Sequence, residues 1–363
     1  MNLRSSVRIK LVKIRRLHRI QSFRQYLEKS SLTPTFFREL LIRRRFNSSS
    51  LKNFVSEIQQ CLPCPSRYQV RSFHEKETNV RFAYSEIELG QSCYFAFRDL
   101  SRMGNNPWDA TKVVYGNKSL KKENSLILQG EDPRLFFFKQ EPWIYFQIYN
   151  SVKSDVEIRI RNLLTNTELL LHSPFDFNGK NWVPFEKDEQ LHFIYSLEPL
   201  VILRLIIDEE GSPKLQQVLS SKKFTPSWKT DFDNSIGRVR GGTPAVKFHK
   251  NVIGFTHEVH DIPNYQFHSL GLFMLNLESF KLHLIPISKM VPGFLIDPYG
   301  IKLSRNKVSL FCSVVEGDLH LQNSNVANIV ISFQLKKLAK FLLKTGEMEI
   351  LKLDTKKRSP KSP

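Results

Sequence analysis

Between about residue 65 and residue 335 the chain is a succession of short β-branched and aromatic runs. Each is stopped within a few residues by turn-forming ones, and no long internal stretch carries a helical period. Val80–Leu89 is followed by Cys93–Phe97, and Leu135–Phe138 by Trp143–Tyr149 across Lys139-Gln140-Glu141-Pro142. Val156–Ile160 precedes Glu168–Leu171, and Leu191–Ser196 precedes Leu200–Ile207. Ala245–Phe248 leads to Val252–His257, Leu270–Leu275 to Lys281–Ile285, and Val308–Val315 to Leu319–Gln322. This density of strands dictates an all-β body. Four-stranded units repeated around a central axis suit its length better than one closed barrel, although no exact sequence repeat accompanies them. The 28 Phe against only 15 Gly fit thick aromatic packing between sheets.

The net charge of +19 belongs to the ends of the chain. Residues 1–52 hold 14 Lys/Arg against Glu28 and Glu39, residues 336–363 carry a net +6, and the body between is near neutral. A folded nucleic-acid reader carries its basicity on the domain itself, so no specific nucleic-acid function is expected. Leu11, Ile14, Leu17, Ile20 and Phe23 recur every three residues among Arg and Lys, and Phe36, Phe37, Leu40 and Leu41 read as a second short helix. The expected organisation is a basic helical extension over 1–60, a β domain over 65–335, and a basic C-terminal helix and disordered tail over 336–363. The basic ends suit an anionic membrane surface or an acidic partner. No apolar stretch is long enough for a membrane span, and the N-terminus lacks the hydrophobic run of a secretory signal. A cytoplasmic location is expected, with a mitochondrial or membrane-peripheral one as the alternative through the basic N-terminus. Cys61 and Cys64 make the chain's one Cys-x-x-Cys, so a zinc site built from two such pairs is excluded.

Chemistry concentrates in four polar interruptions of apolar strands. The first is Glu131-Asp132-Pro133-Arg134, two carboxyls and a guanidinium packed around a proline. Pro133 fixes its own φ and directs Asp132 towards an extended conformation, a way to hold a carboxyl at a set angle over a cleft. The plain alternative is a turn in which arginine pairs with the acid. The others are Gly179-Lys180-Asn181-Trp182-Val183-Pro184-Phe185, Gly237-Arg238-Val239-Arg240-Gly241-Gly242-Thr243-Pro244, and the strand Ile253-Gly254-Phe255-Thr256-His257-Glu258. Asp208-Glu209-Glu210-Gly211 reads as an exposed turn.

In the order and spacing of these motifs, over about residues 80–320, the chain resembles the propeller superfamily of glycoside hydrolase family 130, inverting β-mannoside phosphorylases. It is similar also to the mannosyltransferase/phosphorylases of glycosyltransferase family 108. The resemblance implies a five-bladed β-propeller with the site at the axial end of its channel. It implies that Asp132, flanked by Glu131 and Arg134, is the general acid. It places Lys180 and Asn181 near sugar and phosphate, and Arg238, with Arg240 and Thr243 beside it, and His257 against phosphate. Arg98 ends an inner strand of the first blade, and Asp318 grips the sugar in the last. The chemistry is coherent on its own terms: displacement by an ionised phosphate needs one proton donor and a cluster of cations around the oxyanion. Gly241 and Gly242 would let backbone approach the ligand. One departure is Glu198, standing where the phosphorylases usually have an arginine. It turns the expectation towards inverting β-mannosyl transfer, with phosphorolysis to mannose 1-phosphate and an inactive glycan- or protein-binding propeller as alternatives. The expected partners are a carbohydrate and phosphate or a sugar phosphate. No metal-ligand spacing and no nucleotide loop appear, so no cofactor is expected.

Overall fold

The structure, a computed structural model, describes residues 68–72, 81–99, 112–119, 122–150, 155–176, 178–221, 236–262, 265–287, 294–304, 306–316 and 325–338. The expected N-terminal helices, Cys61, Cys64, Asp318 and most of the C-terminal segment lie outside these residues; a helical turn occupies 335–338.

The described strands form five antiparallel sheets. The first blade is β2 (Arg81–Leu89), β3 (Ser92–Asp99), β4 (Lys112–Ser119) and β5 (Lys122–Gln129), in that order. The second is β6 (Glu131–Phe138), β7 (Glu141–Asn150), β8 (Asp155–Asn162) and β9 (Glu168–Leu171). The third is β10 (Val183–Lys187), β11 (Gln190–Leu197), β12 (Leu200–Ile207) and β13 (Pro213–Ser220). In the fourth, β14 (Ile236–Gly241) and β15 (Val246–Phe248) both pair with β16 (Asn251–Ile262), followed by β17 (Tyr265–Asn276) and β18 (Leu282–Pro286). The fifth runs outward from β19 (Phe294–Ser304) through β20 (Lys307–Glu316) and β21 (Asn325–Gln334) to β1 (Tyr68–Ser72).

Inner strands touch in a closed ring: β2 with β6, β6 with β10, β10 with β15, β15 with β19, and β19 with β2. The chain is a five-bladed β-propeller. Its ring is latched by β1, which pairs with β21 from Tyr68 opposite Phe333 to Ser72 opposite Ile329, so the earliest strand completes the last blade. Radial repetition of this kind leaves only short edges to protect.

Each junction between blades is an apolar layer. Tyr94, Ala96, Leu135 and Ile144 join blades one and two, and Phe136, Tyr145, Trp182 and Phe193 join two and three. Phe185, Ile202, Val252 and Phe273 join three and four, and Phe255, Leu272, Ile296 and Leu310 join four and five. Phe82, Tyr299 and Val315, with Tyr84, Phe95 and Phe311, close five onto one. At roughly 1.5–3 kcal/mol for each fully buried large side chain, these layers dominate the stability of the ring. The Phe content of the chain is spent here.

Antiparallel order gives the propeller two unlike faces. At one, strands join through tight turns with φ above zero at non-glycine residues, Lys139-Gln140 and Asp188-Glu189 among them, as the twist of two-residue hairpins requires. Asp208 belongs to this face. It accepts hydrogen bonds from the Ser212 and Glu210 amides at 2.7 and 3.1 Å in the expected exposed turn. The starts of β2, β6, β10 and β19, and the ends of β3, β7, β11 and β16, all reach the opposite face. That face carries the four sequence motifs.

Candidate active site

Asp132 enters the inner strand of blade two through a kink. The β6–β7 register shifts between Glu131 and Arg134. Asp132 has a φ of +50°, in the left-handed region rather than the extended one expected of a residue before proline. The bulge overrides the local preference, and Asp tolerates this region better than most residues. Gly130 makes the kink possible: its φ is +150°, and a Cβ there would lie 2.9 Å from Phe146 Cδ2 and 3.0 Å from the Gln147 carbonyl oxygen.

The kink separates two adjacent carboxyls. Glu131 is turned into the wall, with 3% of its side chain exposed, whereas Asp132 keeps 13%. Gln147 Nε2 donates to Asp132 Oδ2 at 3.0 Å and to Glu131 Oε1 at 3.2 Å. Arg98 Nη1, from the end of β3, lies 3.3 Å from Glu131 Oε2 and 3.8 Å from Asp132 Oδ1. Burial pushes the Glu131 carboxyl above its ordinary value, and the charge of Asp132 adds to the rise; Lys180 and Arg98 oppose it. A buried acid thus stands behind a partly open one, both aligned by the same amide and guanidinium.

Lys180 is carried by a loop built for rigidity. Asp155 accepts from the Asn178 and Gly179 amides at 2.7 and 3.3 Å. Asn178 Nδ2 donates to the Val156 carbonyl at 2.9 Å, and Trp182 Nε1 to the Asn178 carbonyl at 2.8 Å. Both Glu131 and Asp297 feel the Lys180 charge. Asn181, next in the loop, faces inward: its Oδ1 accepts from Arg134 Nη2 at 2.7 Å, and Arg134 Nη1 donates to the Trp182 carbonyl at 3.2 Å. The Arg134 guanidinium also lies over the Tyr145 ring at 5.3 Å. Arg134 is 1% exposed, so it ties blade two to blade three instead of presenting charge to a substrate, and it engages Asn181 in the same tie.

The third motif lies in the split inner strand of blade four. Thr243 bridges the break: its amide donates to the Phe255 carbonyl at 3.0 Å and its hydroxyl accepts from the Phe255 amide at 2.9 Å. That fully buried hydroxyl serves the blade and not a ligand. A Cβ on Gly241 would fall 2.1 Å from the Asn181 carbonyl oxygen, and one on Gly242 2.4 Å from Pro298 Cγ. The two glycines admit the neighbouring blades, not the substrate expected from the sequence. Arg240 stands opposite His257 in the ladder, half-buried, and Arg238 pairs opposite Val259; the side chain of Arg238 lies outside the described residues. Glu198 is exposed in the β11–β12 hairpin.

His257 belongs to a group that the sequence did not reveal. Its ring stacks on that of His268, centroids 4.9 Å apart and planes at 29°. His268 Nδ1 is in turn hydrogen-bonded to Asp297 Oδ1. All three residues are buried. Burial holds His257 well below the ordinary imidazole value, and the nearby His268, Arg240 and Arg134 charges keep it there against Asp297. Burial thus disfavours the charged form of His257, which faces His268 inside the wall. Burial raises Asp297, but the charge and hydrogen bond of His268, with smaller help from His257 and Lys180, bring it to about 2. Among the described residues His257, His268 and Asp297 form the group suited to a metal ion, each offering one donor atom within 4.8 Å of the others. The sequence separations of 11 and 29 residues match no metal motif, which is why spacing could not find it.

Tyr299 is buried two residues beyond Asp297. Burial pushes its hydroxyl well above the ordinary value, and the charges of Asp132 and Asp297 both contribute, opposed by Arg134 and Arg98.

No family model matches the chain, and no curated protein matches it. Among solved structures it is similar to an arabinanase of Bacillus subtilis, 11% identical over 69% of this chain and 93% of that one, with a TM-score of 0.39. It is similar also to a family 117 glycoside hydrolase of Zobellia galactanivorans, 11% identical over 74% and 91%, TM-score 0.42. A third is the catalytic domain of a GH62 α-L-arabinofuranosidase of Coprinopsis cinerea, 8% identical over 76% and 95%, TM-score 0.41.

Proposed function

We propose that this protein is a carbohydrate-active enzyme that makes or breaks a glycosidic bond at the propeller axis, by inverting transfer of a β-mannosyl-type residue. The observation that carries the reading is the Glu131–Asp132 pair. One carboxyl is shut in the wall, the other is partly open, and both are held by Gln147 and Arg98. A group that passes a proton to a sugar oxygen must be fixed in direction and reachable, and Asp132 has both properties. In the breaking direction Asp132 gives its proton to the departing glycosidic oxygen. In the making direction it takes the proton of the acceptor hydroxyl as that oxygen attacks the anomeric carbon and the donor's leaving group departs from the opposite side. Glu131 acts through Asp132: its raised proton affinity leaves it less often charged, which reduces repulsion in the pair. Arg98 and Lys180 supply positive charge for an anionic leaving group. The resemblance of the four motifs to mannoside-processing propellers supports the choice of sugar.

Phosphorolysis is the second reading, although Glu198 stands against it. Its side chain is exposed in a hairpin between the second and third strands of its blade, whereas Arg98 and Lys180 act on the Asp132 centre itself.

The test is turnover. The full chain is incubated with mannose 1-phosphate or a nucleotide-activated mannose, with simple mannosides as acceptors, and compared with Asp132→Asn. Product from the wild type and none from a folded Asp132→Asn supports the proposal, and the donor consumed separates the two readings. Wild-type inactivity with every donor, or an undiminished Asp132→Asn, would remove it.

A further inference from the structure

The stacked histidines leave two buried nitrogens unused. His257 stands opposite Leu270 and His268 opposite Val259, so the imidazoles are diagonal neighbours on one face of the β16–β17 ladder. That face meets blade five near the start of β19, where Asp297 stands. His268 Nδ1 is satisfied by Asp297, but His268 Nε2 and His257 Nδ1 have no hydrogen-bond partner, in residues that are 92% and 95% buried. A buried polar atom without a partner is uncommon in native proteins, because its lost hydration is not replaced. Two of them on adjacent rings, beside an ionised carboxylate, form an arrangement that hydrogen bonding within the described residues does not complete.

We propose that His257, His268 and Asp297 bind one divalent cation of the zinc class between blades four and five. Two imidazole nitrogens with one carboxylate suit Zn²⁺ and neighbouring first-row ions. Ca²⁺ and Mg²⁺ prefer all-oxygen shells. The donor atoms lie within 4.8 Å of one another, and ligand distances of about 2.0–2.2 Å to zinc require the three side chains to close around the ion. Asp297 becomes a ligand by giving up its hydrogen bond to His268 Nδ1, because an ion on the opposite nitrogen, Nε2, lies beyond reach of a carboxylate held at Nδ1. The strand that carries Asp297, β19, touches β6, the strand that carries Asp132. The site does not depend on the sugar chemistry proposed above, since its ligands are distinct from the Asp132 pair.

The full chain is stripped with a chelator and titrated by calorimetry with Zn²⁺, Co²⁺ and Ca²⁺, with bound metal counted by elemental analysis. About one equivalent of Zn²⁺ per chain is expected, with a rise in melting temperature and, for Co²⁺, visible ligand-field bands of nitrogen–oxygen coordination. His257→Ala and His268→Ala should each weaken Zn²⁺ binding at least tenfold, by analogy with lost ligands elsewhere. Cys61→Ser/Cys64→Ser, which removes the competing thiols, should leave it unchanged. Far-ultraviolet circular dichroism establishes that each variant is folded; if a histidine-to-alanine variant is not, Asp297→Asn and His268→Gln take its place. The proposal is overturned if folded wild type takes up no Zn²⁺ or Co²⁺, if it binds Ca²⁺ in preference, or if Zn²⁺ binding survives the histidine variants and is lost with the cysteines.

Discussion

Arg134→Ala tests whether the guanidinium in the acid motif holds blades together. Arg134 is enclosed, donates to Asn181 Oδ1 at 2.7 Å and to the Trp182 carbonyl at 3.2 Å, and lies over Tyr145. Truncation leaves two buried acceptors without donors, at about 1–3 kcal/mol each, and opens a cavity the size of the lost side chain. Removing a buried cation returns part of its desolvation cost, so the expected net loss is about 3–5 kcal/mol. For a domain of this size, about 2–4 °C per kcal/mol makes that a fall of roughly 6–20 °C in melting temperature. Scanning calorimetry reads the shift, and fluorescence of Trp143 and Trp182, which line the same interface, reports whether it begins there. Arg134→Lys should recover only part of the loss, because an ammonium cannot span both acceptors with the planar fork of arginine. A loss below about 1 kcal/mol for Arg134→Ala would refute the reasoning, as would full stability of the lysine variant.

Three further outcomes are expected. Gly241→Ala should destabilise by several kcal/mol, on the order of 3, because its Cβ would fall 2.1 Å from the backbone oxygen of Asn181 and no rotamer relieves a backbone contact; urea denaturation measures it. The raised Glu131 makes a pH-dependent contribution: it is fully present below the ordinary carboxyl value of 4.5 and is lost as pH rises through the higher folded value. Glu131→Gln should therefore flatten the fall in melting temperature above pH 4.5 expected of the wild type, and an unchanged profile would count against the buried-acid assignment. A chain beginning at residue 73 lacks β1 and leaves β21 unpaired on its outer side, whereas one beginning at residue 61 keeps the latch. The shorter should lose cooperative unfolding in calorimetry and the longer should retain it.

The sequence by itself determined the all-β class and most of the inner and middle strands, because Leu135–Phe138, Trp143–Tyr149 and Leu191–Ser196 are mostly apolar and lie in blade centres. Strands β4, β5 and β13 escaped notice because each mixes a short apolar run with polar residues: β13, Pro-Lys-Leu-Gln-Gln-Val-Leu-Ser, is half polar and half exposed. β19 was hidden by Pro298 and Gly300, which read as a turn but mark a register shift inside a strand. The acid pair was legible as a motif, since two carboxyls beside a proline interrupt an apolar strand in four adjacent residues. What those residues do was not, because function depends on direction. A register shift at Glu131 separates the two carboxyls, leaving Asp132 partly open and Glu131 enclosed. Contact with Asn181 gives Arg134 to the fold, and close blade contacts claim Gly241 and Gly242. The group of His257, His268 and Asp297 exists in the tertiary structure alone: one side chain from each of three strands in two blades meets across a junction, and no local spacing encodes that meeting.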